Sequence, residues 1–107
     1  LSAFGERVRQ NLRGTDLAGQ IGGEEFLLVL PETDLEGAIF LAERLRSAMA
    51  DTPHMLASCA LHVTCSLGVA ERIPEDRDGG ALLARADAAL YEAKQTGRNR
   101  VVASRPK

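Results

Sequence analysis

The stretch QIGGEEFLLVLPE, residues 20–32, decides how this chain folds, because it sets two glycines and two glutamates directly before an apolar run. Residues 26–30 are continuously apolar, which is typical of a central strand covered on both faces. Pro31 ends this strand, and the weakly alternating residues 16–21 predict a short strand before it. Glycine takes positive φ without a steric penalty, so the glycine pair indicates a tight hairpin between the two strands.

The rest of the sequence predicts helices that alternate with strands. Thr33 with Glu36 forms a capping-box pattern that begins a helix. The apolar face of this helix is formed by Leu35, Ala38, Ile39, Ala42, Leu45, Ala48 and Met49. A second helix is predicted over residues 81–96, with Gly97 as its stop. The other predicted segments are a helix over 1–13, a loop over 50–58, a strand over 60–70 and a strand over 100–103.

This element order, α-β-β-α-β-α-β, predicts an α+β fold with a mixed β-sheet flanked by helices, of the ferredoxin-like kind. The first predicted helix has no sheet partner of its own. We therefore expect a preceding strand and helix to be missing from these residues.

Length and composition fit a single domain and exclude several functions. The chain has 107 residues, of which 45% are hydrophobic and 26% charged. An aromatic content of 4% and a net charge of −2 argue against a nucleic-acid or membrane-surface binder. Cys59 and Cys65 would be too far apart to bridge if both lay in one strand, and no metal spacing accompanies them. We expect reduced thiols in a cytoplasmic protein, with any membrane tether of a longer parent lying outside this segment.

The segment Gly22-Gly23-Glu24-Glu25 is the first chemical candidate. At a hairpin tip, glycines let the backbone approach a ligand closely, and their N–H groups can face phosphate. A carboxylate beside them suits Mg²⁺, which prefers hard oxygen ligands shared with phosphate. A plain solvated turn with two surface acids explains the same residues, and on this segment alone it is the simpler explanation.

Two further candidates consist of charged residues with two explanations each. Lys94 falls in the last turn of the second predicted helix and Arg98 just past its glycine stop. Cations there stabilise the negative end of the helix dipole, but they also make a two-point clamp for a polyphosphate. Arg13 and Asp16, before the hairpin, form either a surface ion pair or a fork for a guanine edge.

Four segments together resemble one known family. They are LRGTDLAGQIGGEEFLLVLP, LAERLRSA, HVTCSLGVA and LLARADAALYEAKQTGRNRV, in this order. They closely resemble the GGDEF domain, the diguanylate cyclase module of bacterial signalling proteins, through essentially the whole chain. The resemblance implies a palm-type nucleotide cyclase fold that lacks its first strand and helix, hence one truncated GGDEF domain over residues 1–107. It also implies that two GTP molecules, each presented by one domain of a homodimer, are condensed into cyclic di-GMP.

The resemblance assigns roles to the hairpin residues. The glycine pair gives room for the nucleotide. Glu24 matches an acid that binds Mg²⁺ (or Mn²⁺) and has been cast as the base for the ribose 3′-OH. Glu25 matches a second acid, needed for metal or transition-state organisation. A bound metal also explains why adjacent acids are tolerated, since its charge offsets their repulsion.

The resemblance likewise assigns the remaining candidates. Lys94 and Arg98 match the residues that grip the terminal phosphates. Arg13 and Asp16 match the RxxD of the family's inhibitory site, where a cyclic di-GMP dimer arrests the enzyme, and Arg44 matches the secondary arginine of that site. Product binding on a separate surface is allostery in the strict sense.

The sequence departs from the family in two respects. Gln20 stands where the family usually carries arginine, and the first-strand metal ligand and the guanine-reading residues are not in this segment. We therefore expect this chain to be inactive alone and its parent to be an enzyme. The alternatives are a degenerate domain that senses cyclic di-GMP or GTP, which Gln20 favours, and a structural dimerisation domain that binds no nucleotide.

Several other polar residues are expected to be structural. Asp87 is expected to pair with Arg85 or to cap a local network, and Thr64 and Ser66 to stabilise the sheet. His54 and His62 have no partners at metal-ligand spacing, so we expect them at the surface or filling a strand.

Overall fold

The computed structural model describes residue 10 and residues 17–20, 26–51, 53–56, 58–61 and 64–105. In this part of the chain the elements are β1 (Leu17–Gln20), β2 (Phe26–Val29), α1 (Leu35–Asp51), β3 (His54–Leu56), β4 (Cys59–Leu61), β5 (Leu67–Ala70), α2 (Gly79–Gln95) and β6 (Val101–Ser104). Antiparallel and parallel strand pairs both occur, and both helices pack on the parallel β5–β6 pair, which confirms the predicted α+β class. No helix within these ranges combines the length and apolarity that a bilayer crossing demands.

The β1–β2 hairpin confirms the prediction made from the glycine pair. The two strands pair antiparallel, with Leu17 opposite Val29 and Gln20 opposite Phe26. Pro31 lies in the turn that follows β2, so the strand ends where the proline predicted.

The N-terminal cap of α1 differs from the predicted capping box. The Asp34 carboxylate accepts a hydrogen bond from the Gly37 N–H at 2.8 Å, so Asp34 is the capping residue. The Thr33 hydroxyl donates instead to the Pro31 carbonyl at 3.1 Å. Aspartate caps a helix as well as threonine does, and its charge strengthens the bond to the N–H.

β5 and β6 form a parallel ladder that carries the core. Leu67 lies opposite Val101, and Val69 lies opposite Ala103. Val69 is buried against α1, and the other three residues pack around the same cluster. The buried residues of α1 are Leu35, Ala42, Leu45 and Met49, all on the predicted apolar face. α1 therefore covers the face of the ladder to which Leu67 and Val69 point.

α2 covers the opposite face of this ladder. Successive residues of a strand point to opposite faces, so Gly68 points away from α1. A Cβ added at Gly68 would overlap backbone atoms of Ala86 and Leu90 in α2. The ladder is thus the middle layer between the two helices, and α2 approaches it closely at Gly68.

The region between α1 and β5 differs from the sequence prediction. The predicted loop over residues 50–58 is wrong, because α1 continues to Asp51 and β3 then pairs antiparallel with β4. The single strand predicted over residues 60–70 is also wrong, because β4 ends at Leu61 and β5 begins at Leu67. Alternation of apolar residues looks the same whether a segment forms one strand or two. Here the segment forms two strands because they have different hydrogen-bonding partners: β4 pairs with β3, and β5 pairs with β6.

The ends of α2 agree with the prediction to within two residues. Asp78 caps its first turn by accepting a hydrogen bond from the Gly80 N–H at 2.8 Å. The helix ends at Gln95, and Gly97 follows with φ of +133°, a conformation that favours glycine. The helix predicted over residues 1–13 lies outside the described residues, except for Gln10.

Candidate functional site

The hairpin register gives the place of the predicted acidic segment. Because Gln20 pairs with Phe26, residues 21–25 connect the ends of two paired strands. The acidic segment itself lies outside the described residues, and its members are Gly22, Gly23, Glu24 and Glu25.

A metal site would depend on this connection. Within the part of the chain that the structure describes, no group of three or more His, Cys, Asp or Glu side chains could hold a metal ion. The predicted ligand Glu24 and its neighbour Glu25 offer carboxylate oxygens, which are the hard donors that Mg²⁺ and Mn²⁺ prefer. The chemistry of these donors fits a hard divalent cation.

The two predicted phosphate-binding cations lie at the C-terminal end of α2. Lys94 is half-buried in the last helical turn, and Arg98 is exposed just beyond Gly97. The Arg98 N–H donates to the Ala93 carbonyl at 2.9 Å, a bond typical of a Schellman helix end. The structure therefore brings the two cations to the same helix end, where they also stabilise the helix dipole.

The loop that carries Arg98 has an unusual backbone. Gly97, Arg98 and Asn99 follow one another with φ of +133°, +60° and +47°. The left-handed conformation costs a residue with a Cβ about 1–2 kcal/mol, although asparagine tolerates it better than most. Contacts from outside the loop are needed to hold two such residues in succession.

Three side chains supply those contacts. The Asn99 N–H donates to Ser66 Oγ at 3.1 Å, and Arg46 Nη1 donates to Asn99 Oδ1 at 2.9 Å. Arg100 Nε donates to the Arg98 carbonyl at 3.1 Å. Ser66 lies just before β5 rather than within a strand, and its hydroxyl joins the start of β5 to Asn99, two residues before β6, so its predicted role in stabilising the sheet stays a prediction. Sequence analysis missed this network, although an asparagine after Gly-Arg is a signal for left-handed backbone.

Of the predicted inhibitory site, the structure describes Arg44, which is exposed on α1. Arg13 and Asp16 lie outside the described residues. The assembly of these three residues into one site therefore stays a prediction.

A buried carboxylate before α2 was also missed. Asp76 is 5% exposed, and its carboxylate accepts hydrogen bonds from Nη1 and Nη2 of Arg85, at 2.7 and 2.8 Å, and from the Ile73 N–H at 3.0 Å. These hydrogen bonds, that of Arg85 first, lower the pKa of Asp76 to about 2. Arg85 also donates to the Glu71 carbonyl at 2.8 Å, which joins the segment before α2 to the helix. Arg85 thus pairs with Asp76 rather than with the exposed Asp87, because helix residues two apart do not face each other.

The two cysteines are free thiols in different environments. Cys59 is exposed in β4, and Cys65 is half-buried just before β5. Burial raises the pKa of Cys65 to about 11, so its thiol is not a nucleophile at neutral pH.

Comparison with known protein sequences gives one consistent result. The family model "Diguanylate cyclase, GGDEF domain" matches residues 1–100. The protein YhcK of Bacillus subtilis is 45% identical over 108 residues, which is 100% of this chain and 30% of YhcK. The response regulator PleD of Caulobacter vibrioides is 41% identical over 104 residues, which is 95% of this chain and 23% of PleD.

Comparison with solved structures gives the same family as the sequence comparison. The active GGEEF domain of a diguanylate cyclase from Vibrio cholerae superposes with a TM-score of 0.88 at 33% identity, covering 97% of this chain and 65% of that one. The GGDEF domain of DgcB from Caulobacter crescentus, in complex with c-di-GMP, gives a TM-score of 0.88 at 30% identity, covering 94% and 60%. The chain thus spans less than two thirds of the proteins and solved chains that it matches.

The hairpin and the parallel ladder between two helices define the class, a palm-type nucleotide cyclase fold present in part. Within this class the chain belongs to the GGDEF family.

Proposed function

We propose that the protein carrying this chain is a diguanylate cyclase, which condenses two GTP molecules into cyclic di-GMP and releases pyrophosphate. The observation that supports this most strongly is the family match over residues 1–100, which includes both the acidic hairpin connection and the cations at the end of α2. The chain covers only part of the GGDEF domains that it matches, and we expect it to be inactive alone.

The reaction is a nucleotidyl transfer between two domains of a homodimer. The ribose 3′-OH of one GTP attacks the α-phosphorus of the other, and the bond to the pyrophosphate leaving group breaks as the new O–P bond forms. Glu24 accepts the hydroxyl proton or orients that hydroxyl, and Glu25 organises the transition state beside it. Gly22 and Gly23 leave room for the nucleotide. Mg²⁺ or Mn²⁺, held by Glu24, supplies neutralisation of the phosphate charge when bound.

Lys94 and Arg98 hold the terminal phosphates. Their place at one helix end supports this role, because a point charge and a planar fork can contact the same polyphosphate. Both cations offset the negative charge of the bound polyphosphate.

Product inhibition is the regulatory part of the proposal. Arg13, Asp16 and Arg44 bind cyclic di-GMP away from the acidic hairpin and arrest the enzyme. Replacing Arg13 by alanine should leave the initial rate unchanged and remove the slowing that accumulated product causes. The cytoplasmic location predicted from the free thiols stays a prediction.

Synthesis of cyclic di-GMP by the full-length protein tests the proposal directly. GTP with Mg²⁺ or Mn²⁺ should give cyclic di-GMP, detected by chromatography. Glu25→Gln should lower kcat by about a hundredfold or more. Lys94→Ala should raise KM for GTP by about tenfold, since a charge-assisted contact to phosphate is lost. Arg105→Ala, which removes a cation paired with Glu36 on the surface, is the control and should change neither constant.

The second candidate function is a cyclic di-GMP or GTP sensor, which Gln20 in place of the usual arginine favours. No product from GTP with either metal, together with cyclic di-GMP binding that Arg13→Ala abolishes, would establish the sensor. An absence of any nucleotide binding would leave a structural dimerisation domain. GTP turnover by the 107-residue chain alone would contradict its expected inactivity.

A further inference from the structure

The loop after α2 holds Arg98 in a conformation that its own residues do not favour. Arg98 and Asn99 both have left-handed φ, and both carry a Cβ that disfavours it. The bond from the Arg98 N–H to the Ala93 carbonyl ends the helix but leaves Asn99 unconstrained. Arg100 Nε binds the Arg98 carbonyl, so the direction in which Arg98 leaves the helix depends on that contact and on what holds Asn99.

Asn99 is held from two other elements of the fold. Ser66, directly before β5, accepts its backbone N–H, and Arg46 of α1 donates to its side-chain oxygen. Arg46 is oriented in turn by an ion pair with Glu43, one turn earlier on α1. Only 23% of the Arg46 side chain is exposed, so this contact is partly shielded from water. The Ser66 and Arg46 contacts fix both the backbone and the side chain of Asn99.

We propose that Arg46 and Ser66 are positioning residues for phosphate binding, which act on Arg98 through Asn99. The proposal rests on the proposed function, in which Arg98 holds the terminal phosphates of GTP. Without these contacts the loop populates ordinary φ values, and only a fraction of molecules presents Arg98 correctly. The apparent affinity for GTP falls by that fraction, whereas chemistry in the bound complex is unchanged.

Steady-state kinetics of the full-length protein with GTP and Mg²⁺ tests this. Arg98→Ala should raise KM by about tenfold, and Arg46→Ala and Ser66→Ala should each raise it by about three- to tenfold, with kcat changed less than about twofold. Arg46→Lys keeps one donor for Asn99 Oδ1 and should recover most of the affinity. Arg105→Ala removes the same charge at the opposite end of β6 and should have no effect.

The double variant separates positioning from general damage. If Arg46 acts through Arg98, Arg46→Ala should add almost nothing to KM in an Arg98→Ala background. A multiplied KM in the double variant would overturn the proposal. An unchanged KM in both Arg46→Ala and Ser66→Ala would also overturn the proposal. The same holds if only kcat falls, in proportion to a loss of folded protein measured by circular dichroism.

If the full-length protein forms no cyclic di-GMP, the proposed function is contradicted, and this outcome is distinguishable from a failure of the positioning proposal. GTP binding by calorimetry then replaces KM: weaker binding in the same variants supports the positioning role in a sensor. Equal dissociation constants at full stoichiometry, or no GTP binding in the unmodified protein, would overturn it.

Discussion

Replacing Gly68 by alanine tests how closely α2 approaches the β5–β6 ladder. The added Cβ would lie 2.8 Å from Leu90 Cα and would overlap more severely with the Ala86 carbonyl oxygen and the Leu90 nitrogen. All three atoms belong to the helix backbone, so no change of side-chain rotamer relieves the overlap. Since carbon atoms in contact lie about 3.5–4.0 Å apart, the helix must retreat by about 1 Å.

The magnitude follows from what such a retreat does to the core. Overpacking costs about 1–3 kcal/mol where side chains can adjust, so a backbone overlap should reach the upper end, about 3 kcal/mol. The entropy that alanine removes from the unfolded chain opposes this by only about 0.4–1 kcal/mol. At roughly 4 °C per kcal/mol for a domain of this size, Tm should fall by about 10 °C.

Urea denaturation followed by far-UV circular dichroism measures the effect, with Gly79→Ala as the matched control. Gly79 is the first residue of α2, and nothing lies within 4 Å of a Cβ added there. The control should therefore change the free energy of unfolding by less than about 0.5 kcal/mol or increase it slightly. If Gly68→Ala loses no more than Gly79→Ala does, the close packing of α2 on β5 is refuted.

Three further predictions concern the core, a buried ion pair and the thiols. Leu45 is 0% exposed, so Leu45→Ala should lower the free energy of unfolding in urea by about 2–5 kcal/mol, and a loss below about 1 kcal/mol would contradict its burial. Arg85 lowers the pKa of Asp76 from 3.8 to about 2, so the stability that this pair contributes is complete above about pH 4 and lost as pH falls toward about 2. Urea midpoints should therefore fall less steeply with acid in Asp76→Asn than in the unmodified protein, and parallel curves would argue against the pair. Because burial raises the pKa of Cys65 to about 11, a disulfide reagent at about pH 8 should modify exposed Cys59 far faster, and equal rates would be inconsistent with that burial.

Local signals in the sequence were sufficient for the hairpin and the helices. The apolar run that begins at Phe26 and the stop at Gly97 each depend on residues close in the chain, and both are observed. The β3–β4 hairpin was missed because its strands are only three residues long and no Asn-Gly, Asp-Gly or Gly-Gly pair separates them. The start of β5 at Leu67 depends on pairing with Val101, which no local pattern shows.

The same distinction applies to the candidate site. Lys94 and Arg98 could be placed because the end of a helix is a local feature. The contacts to Asn99 could not, because Ser66 and Arg46 are 33 and 53 residues away in the chain. Only the fold brings these residues together, so spacing in the sequence carries no information about them.

One strand sets the positions of both proposed phosphate-binding cations. Gly68 fixes how close α2, with Lys94, lies to β5, and Ser66 ties the loop that carries Arg98 to the start of the same strand. The acidic segment connects β1 and β2, and within the described residues these two strands form a ladder separate from β5–β6. Substitutions along β5 should therefore act on GTP affinity through both cations together, whereas substitutions of Glu24 and Glu25 should act on the chemical step. A variant that moves α2, such as Gly68→Ala, should therefore raise KM for GTP, because it displaces Lys94 directly and Arg98 through the bond from its N–H to the Ala93 carbonyl.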